Sequence, residues 1–285
     1  MGAGLHEYPL IFFTVIGQSV AGAFILMASI LLMKSAESQH RNIVISMFGL
    51  WALMGLGFLL SMLHMGSPLR AFNSMLRFGS SALSNEIVSG STFFALGGLY
   101  WLLSLLKKMP QSLGRVWLVV TMISAVVFVY AISRVYQIDT VPTWFNHYGS
   151  LQFILTSFIA GPILATLLLR IAGFDAYKVR YFVLISVVAT IASVILVTAQ
   201  GFDLGSIESA IQKASNLVPD YASLMGWRTV CLSLGLACWI YPLVKIRNPS
   251  VFTLILSLVF ILFGELIGRG IFYGLHMTVG LAIAG

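Results

Sequence analysis

Eight nearly uncharged apolar stretches, roughly 8–33, 43–64, 87–106, 115–133, 149–170, 181–201, 225–244 and 250–273, occupy most of this 285-residue chain. A run of about twenty apolar residues crosses the hydrocarbon core of a bilayer as a helix. Helices are the expected form because each one satisfies its own backbone hydrogen bonds where no water is present to do so. With 59% hydrophobic and only 9% charged residues, and a mean hydropathy of +0.98, the chain carries more apolar side chain than a water-soluble fold can hide. The expectation is an all-α integral membrane protein, a bundle of eight transmembrane helices forming a single domain over residues 1–285. No internal repeat, low-complexity tract or break in composition marks a second domain.

The first span is read as retained, since its leader MGAGLHEY lacks a positive n-region and no small-residue cleavage pattern follows. Cys231 and Cys238 lie seven residues apart inside one span, which makes a disulfide or shared metal geometrically unsuitable and leaves them as small apolar core residues. Charge then orients the bundle. Alternate connectors on one side collect Lys34, Arg41, Lys107, Lys108, Arg115, Arg170, Lys178, Arg180, Lys245 and Arg247, ten of the sixteen cations, against Glu37 and Asp175, a net +8. The other side holds six cations and seven anions, a net −1. By the positive-inside rule the first side is cytoplasmic and both termini lie outside. The formal +7 of the chain is therefore a topology signal and calls for no nucleic acid.

The outer connectors, 65–86, 134–148 and 202–224, are the long ones. In the last, Ile207, Ile211 and Leu217 fall at near-helical spacing, which predicts a short amphipathic helix on the membrane face. The first runs between two strongly apolar spans with His64 at one mouth and Glu86 at the other. Titratable groups beside hydrocarbon are costly and mark functional sites, and imidazole titrates near neutrality. The competing reading makes Glu86 a first-turn carboxylate behind Ser84 and Asn85 as caps, and His64 and His276 interfacial residues. A haem bridging two helices would need facing histidines, and His64 with His276 is the only suitable pair.

Deeper in the spans, Glu265 and Arg269 stand at i, i+4 and are expected to pair along one helix face. Arg228 and Arg134 are expected to snorkel to the outer interface. Phosphate-cradling glycine loops, zinc-peptidase helices and cysteines at cluster spacing are absent from the sequence. Three functions fit what remains: a proton-handling redox anchor, a purely structural anchor, and a secondary transporter. The last is disfavoured by the lack of repeats.

The segments GLHEYPLIFFTVIGQ, MFGLWALMGLGF, SMLHMGSPLRAFNSMLRFGSSALSNEI, VYQIDTVPTW, NLVPDYASL and GELIGRGIFYGLHMTVG resemble the membrane-anchor subunits of bacterial dimethyl-sulfoxide reductases and their selenate-reductase-like paralogues. The resemblance runs from Gly2 to Gly285. It implies a multi-pass subunit of the bacterial cytoplasmic membrane, without haem or iron–sulfur cluster, that oxidises menaquinol. Its electrons would pass to an iron–sulfur subunit and on to a molybdopterin-containing catalytic subunit, the three forming a heterotrimer.

The same resemblance places the quinol-site histidine and glutamate on His64 and Glu86, with Gly66, Ser67, Arg70, Phe72 and Ser74 as the surrounding loop. In chemical terms, His64 and Glu86 would accept the two quinol protons. Gly66 and Ser67 would let backbone approach the ring, Phe72 would pack on it, and Arg70 would stabilise negative charge developing on oxygen.

Overall fold

All eight apolar stretches are helical in the computed structural model, which describes residues 4, 6–63, 76–208 and 213–277. The helices are α1 (Tyr8–Leu31), α2 (His40–Ser46), α3 (Phe48–Leu63), α4 (Ala82–Leu105), α5 (Gln111–Val135), α6 (His147–Ile171), α7 (Tyr181–Asp203), α8 (Tyr221–Ile246) and α9 (Val251–Gly274). The second span comprises α2 and α3, interrupted only at Met47, whose N–H still bonds back to the Ile43 carbonyl. The helix ends fall within a few residues of the apolar stretches, and side-chain caps fix several of the starts. Asn146 accepts from the Gly149 N–H at the start of α6, and Ser250 from the Thr253 N–H at the start of α9.

Two helices form the centre. The apolar windows of α1 and α6 are 72% buried, whereas those of the other six spans are 28–44% buried and turn the rest of their surface outward. On α7 the outward residues Leu184, Val188, Ile191 and Ile195 recur every three or four positions, a lipid-facing stripe on a helix apolar all round. The two central helices touch backbone to backbone. A Cβ on Gly22 would collide with the Ser157 carbonyl oxygen, and one on Gly161 would lie 2.8 Å from the Gly22 carbonyl carbon. Lipid offers no hydrophobic drive for helix association, so such close approach supplies the packing contact instead.

Pro162 interrupts the hydrogen-bond ladder of α6 at this crossing. The Ser186 hydroxyl of α7 donates to the Ile159 carbonyl at 2.7 Å and reaches the Phe158 carbonyl at 3.4 Å, so the oxygen that Pro162 leaves without its usual partner is still covered.

The basic end of the bundle is knitted together by its short connectors. Arg170 Nε donates to the Pro249 carbonyl, the Ala176 N–H to Asn248 Oδ1, and Gln39 Nε2 to the Gly173 carbonyl. The guanidiniums of Arg180 and Arg247 flank the Tyr177 ring at 4.6 and 5.2 Å. Gly173, at φ +79°, ends α6 in the left-handed conformation that glycine adopts most cheaply. This clustering leads to a topology prediction. A single cysteine placed in the 107–114 connector should react with a membrane-impermeant reagent only from the cytoplasm, and one in 202–224 only from outside; labelling in the reverse sense would invert the assignment.

Among the described residues of 202–224, no amphipathic helix carries Ile207 and Leu217. After α7 the chain turns, Glu208 and Lys213 face one another in an isolated antiparallel bridge, and Ala214–Asn216 make one 3-10 turn. Ile207 and Leu217 pack against Val197, Val218, Ile271 and Leu275 rather than lying along one helix face. Burial against the C-terminal ends of α7 and α9 outweighs the local periodicity. Ile211 lies outside the described residues.

Candidate functional site

Ser81, in extended conformation, is the N-cap of α4 and accepts a hydrogen bond from the Ser84 N–H. Ser84 and Asn85 are therefore not the caps, and the first turn holds no acid. Glu86 sits beyond it, its side chain turned into the bundle with the residue only 5% exposed. The first-turn reading of Glu86 is thus corrected: a capping carboxylate would face the free N–H groups at the helix end. Asn85 instead accepts from the Gly79 N–H and ties down the turn preceding α4. Glu86 Oε1 is buried without a hydrogen-bond partner among the described residues. A buried carboxylate oxygen is costly without a hydrogen-bond donor, and none of the described residues supplies one here.

Two phenols meet at this end of the bundle, those of Tyr136, just past the end of α5, and Tyr273, near the end of α9. These two hydroxyls are 2.5 Å apart and hydrogen-bonded. Around them Trp144 stacks on Phe272 at 5.1 Å, Trp144 Nε1 donates to the Phe272 carbonyl, and Thr143 donates to the Leu275 carbonyl. The 136–146 connector is in this way locked onto the end of α9. One turn along α4 from Glu86, a Cβ on Gly90 would fall 2.7 Å from the Phe128 ring and 3.3 Å from that of Phe58, so bare backbone there admits the two aromatics.

Of the other residues expected at the site, His64, Gly66, Ser67, Arg70, Phe72 and Ser74 lie outside the described residues. His276, the second member of the histidine pair, is exposed, with its ring 4.7 Å from that of Trp144.

The deep charges are arranged differently from the sequence expectation. Glu265 does not pair with Arg269 along α9. Its Oε1 accepts from Arg228 Nη2 of α8 at 2.9 Å, with the two side chains 2% and 4% exposed, and its Oε2 accepts from the Thr156 hydroxyl at 2.5 Å. Arg228 accordingly does not snorkel, and it also donates to Ser193 of α7 at 2.8 Å. Arg269 donates to Gln18 Oε1 of α1 and to Thr156, and lies 3.4 Å over the Phe153 ring.

Interhelix pairing prevails because α8 and α9 form a hairpin across a short turn. Arg228 stands 18 residues before the end of α8 and Glu265 14 after the start of α9, within about one helical turn of equal depth. That register was readable in the sequence. The phenol pair was not, because its members are 137 residues apart.

Residues 1–275 match the family described as DMSO reductase anchor subunit (DmsC). Over the full length of both proteins, the sequence is 54% identical to YnfH of the anaerobic dimethyl sulfoxide reductases and 53% identical to the C subunit, both of Escherichia coli K12. It is 41% identical, again over the full length of both, to the C subunit of the Haemophilus influenzae anaerobic dimethyl sulfoxide reductase. The near-equal identities to the two Escherichia coli proteins do not separate them.

Proposed function

The chain belongs to the DMSO reductase anchor subunit family, and from that premise we propose that it oxidises menaquinol on the outer face of the membrane and hands the electrons to an iron–sulfur partner. Its eight spans and its family make it a multi-pass anchor of the inner membrane. The proposed complex is a heterotrimer whose third member is a molybdopterin-containing catalytic subunit reducing an S- or N-oxide, or selenate.

The observation that carries the quinol reading is the buried carboxylate of Glu86, turned inward near the outer end of α4 with one oxygen unpartnered among the described residues. Oxidation of menaquinol to menaquinone releases two protons and two electrons. A carboxylate whose oxygen lacks a partner can accept a quinol hydroxyl as a hydrogen-bond donor and then take its proton. His64 is assigned the second hydroxyl, and Gly66, Ser67, Arg70, Phe72 and Ser74 the contacts to ring and oxygen. The protons leave to the outer side.

Binding of a non-oxidisable quinol analogue to the purified complex, followed by quenching of the analogue's fluorescence, tests this reading. Stoichiometric quenching that is lost in Glu86→Lys supports it, whereas no saturable binding leaves a purely structural anchor. Electron storage within the chain is not required. The purified protein should therefore show no reduced-minus-oxidised b-type absorbance, and a stoichiometric spectrum abolished by His276→Ala would overturn the haem-free assignment.

A further inference from the structure

A pocket opens at the basic end of the bundle, where α1 stops and α4 turns into α5. Its volume is about 360 Å³, within the range of ordinary ligand sites. Leu31, Leu32, Tyr100 and Leu118 line its apolar side, and Glu37, Ser104, Lys107, Gln111 and Arg115 its polar side. All three helices end or begin here, so in a bilayer the apolar side meets hydrocarbon and the polar side meets the headgroup layer.

The turn between α4 and α5 places a cation in the pocket wall. The Lys108 N–H bonds to the Leu103 carbonyl at 2.8 Å and the Lys107 N–H to the Ser104 carbonyl at 3.1 Å, the paired bonds of a Schellman helix end. Lys107 occupies the left-handed position of that motif, at φ +57°, where glycine is cheapest. Arg115, one turn into α5, supplies the second cation of the wall. The salt bridges among the described residues are Arg228–Glu265 and Lys213–Glu208, so neither Lys107 nor Arg115 is paired with a carboxylate there. Against these two cations the wall sets the carboxylate of Glu37, and His40 beside them is either neutral or cationic. With His40 neutral the pocket carries a net charge of 2 − 1 = +1.

We propose that this pocket binds one anionic glycerophospholipid of the phosphatidylglycerol class. Its phosphodiester lies between Lys107 and Arg115, a headgroup hydroxyl donates to Glu37, and an acyl chain leaves along the apolar side. Basic pockets between membrane helices take anionic headgroups. The single negative charge of this lipid balances the pocket, whereas a zwitterionic headgroup leaves the excess in place. A soluble phosphate has nothing to set against Leu31, Leu32 and Leu118. The site is independent of the quinol reading, since Glu86 stands near the opposite end of α4.

The test uses the full chain purified within its complex in a nonionic detergent and stripped of lipid. Phosphatidylglycerol, phosphatidylethanolamine, phosphatidylcholine and glycerol 3-phosphate are added separately, and native mass spectrometry counts the molecules retained. One phosphatidylglycerol should be held saturably, at about a fivefold lower lipid-to-detergent ratio than either zwitterionic lipid, the effect of one unit of charge near a membrane surface. Glycerol 3-phosphate should not be held. Lys107→Gln with Arg115→Gln removes both cations and should raise the ratio required about thirtyfold. Lys178→Gln with Lys245→Gln removes charge from the same end of the bundle but outside this pocket, and should leave the ratio at its wild-type value. All four side chains are exposed, so their replacement spares the fold, and the wild-type comparison of lipids stands without the variants. Equal weakening by the two pairs of substitutions would mean diffuse attraction to the basic face and would overturn the site. Retention of the zwitterionic lipids at the same ratio would overturn it too, as would retention of glycerol 3-phosphate, which would make it a pocket for a soluble phosphate.

Discussion

Glu86→Gln is expected to lower menaquinol-driven turnover of the assembled complex by about a hundredfold or more, the usual contribution of a positioned proton acceptor, while leaving assembly intact. Gln has the shape of Glu and stays neutral, and Glu86 makes no salt bridge among the described residues that the change would break. Burying an amide in place of an ionisable carboxyl should, if anything, ease folding. His64→Arg and Glu86→Lys should act in the same direction by removing an acceptor and adding a fixed positive charge.

The measurement is a pair of assays on the same membranes. A quinol analogue drives the first, and an artificial donor that reduces the catalytic partner directly drives the second. The first should collapse and the second should stay at wild-type rate. Normal quinol oxidation by Glu86→Gln at matched protein levels would remove Glu86 from the chemistry and give the structural-anchor reading its strongest support. Loss of both activities would mean instead that the substitution acts on assembly.

The sequence carried the architecture almost entirely, and the reason is physical. In lipid, every span must be a run of about twenty apolar residues and must be helical, so hydropathy locates α1 and α3–α9 within a few residues of where they stand. What it leaves open is who touches whom, because residues facing lipid and residues facing the core are equally apolar. Leu184 and Ile195 on α7 look no different in sequence from Phe24 or Ile163 at the centre, yet the first pair is 63% and 64% exposed and the second fully buried. The central place of α1 and α6 is hinted at only by Gly22 and Gly161, two glycines among 26.

Charged residues are easier to read, since a charge inside a span needs a reason. Glu86, Arg228, Glu265 and Arg269 all stand out in the sequence without their partners. The partner nearest in sequence is nevertheless the wrong one. An i, i+4 pair on one helix suits an exposed surface, where its contribution is a few tenths of a kcal/mol. A buried carboxylate gains more from donors on several helices at once, and Glu265 collects them from α6 and α8. Polar residues that read as unremarkable complete the network, Thr156 donating to Glu265 while Ser193 and Gln18 accept from Arg228 and Arg269.

This change of partner alters what a substitution at Glu265 should do. Glu265→Gln leaves Arg228, not Arg269, without its counter-charge, because Arg269 keeps Gln18, Thr156 and the face of Phe153. Breaking a buried pair by removing one partner costs about 3–5 kcal/mol, a large share of the stability of an ordinary domain. The expected result is a marked fall in membrane yield and in unfolding temperature, with specific activity per assembled complex near normal. Arg228→Met should do comparable damage by stranding Glu265. The double variant Arg228→Met with Glu265→Met removes both charges and replaces them with flexible apolar side chains of similar length, so it should recover much of the loss that either single change causes. A double-mutant cycle on unfolding temperature measures this directly. Additive losses in the double variant would mean that the two side chains act separately, and the pairing of α8 with α9 would then rest on close contacts such as Gly235 against the Ser257 carbonyl rather than on the charge pair.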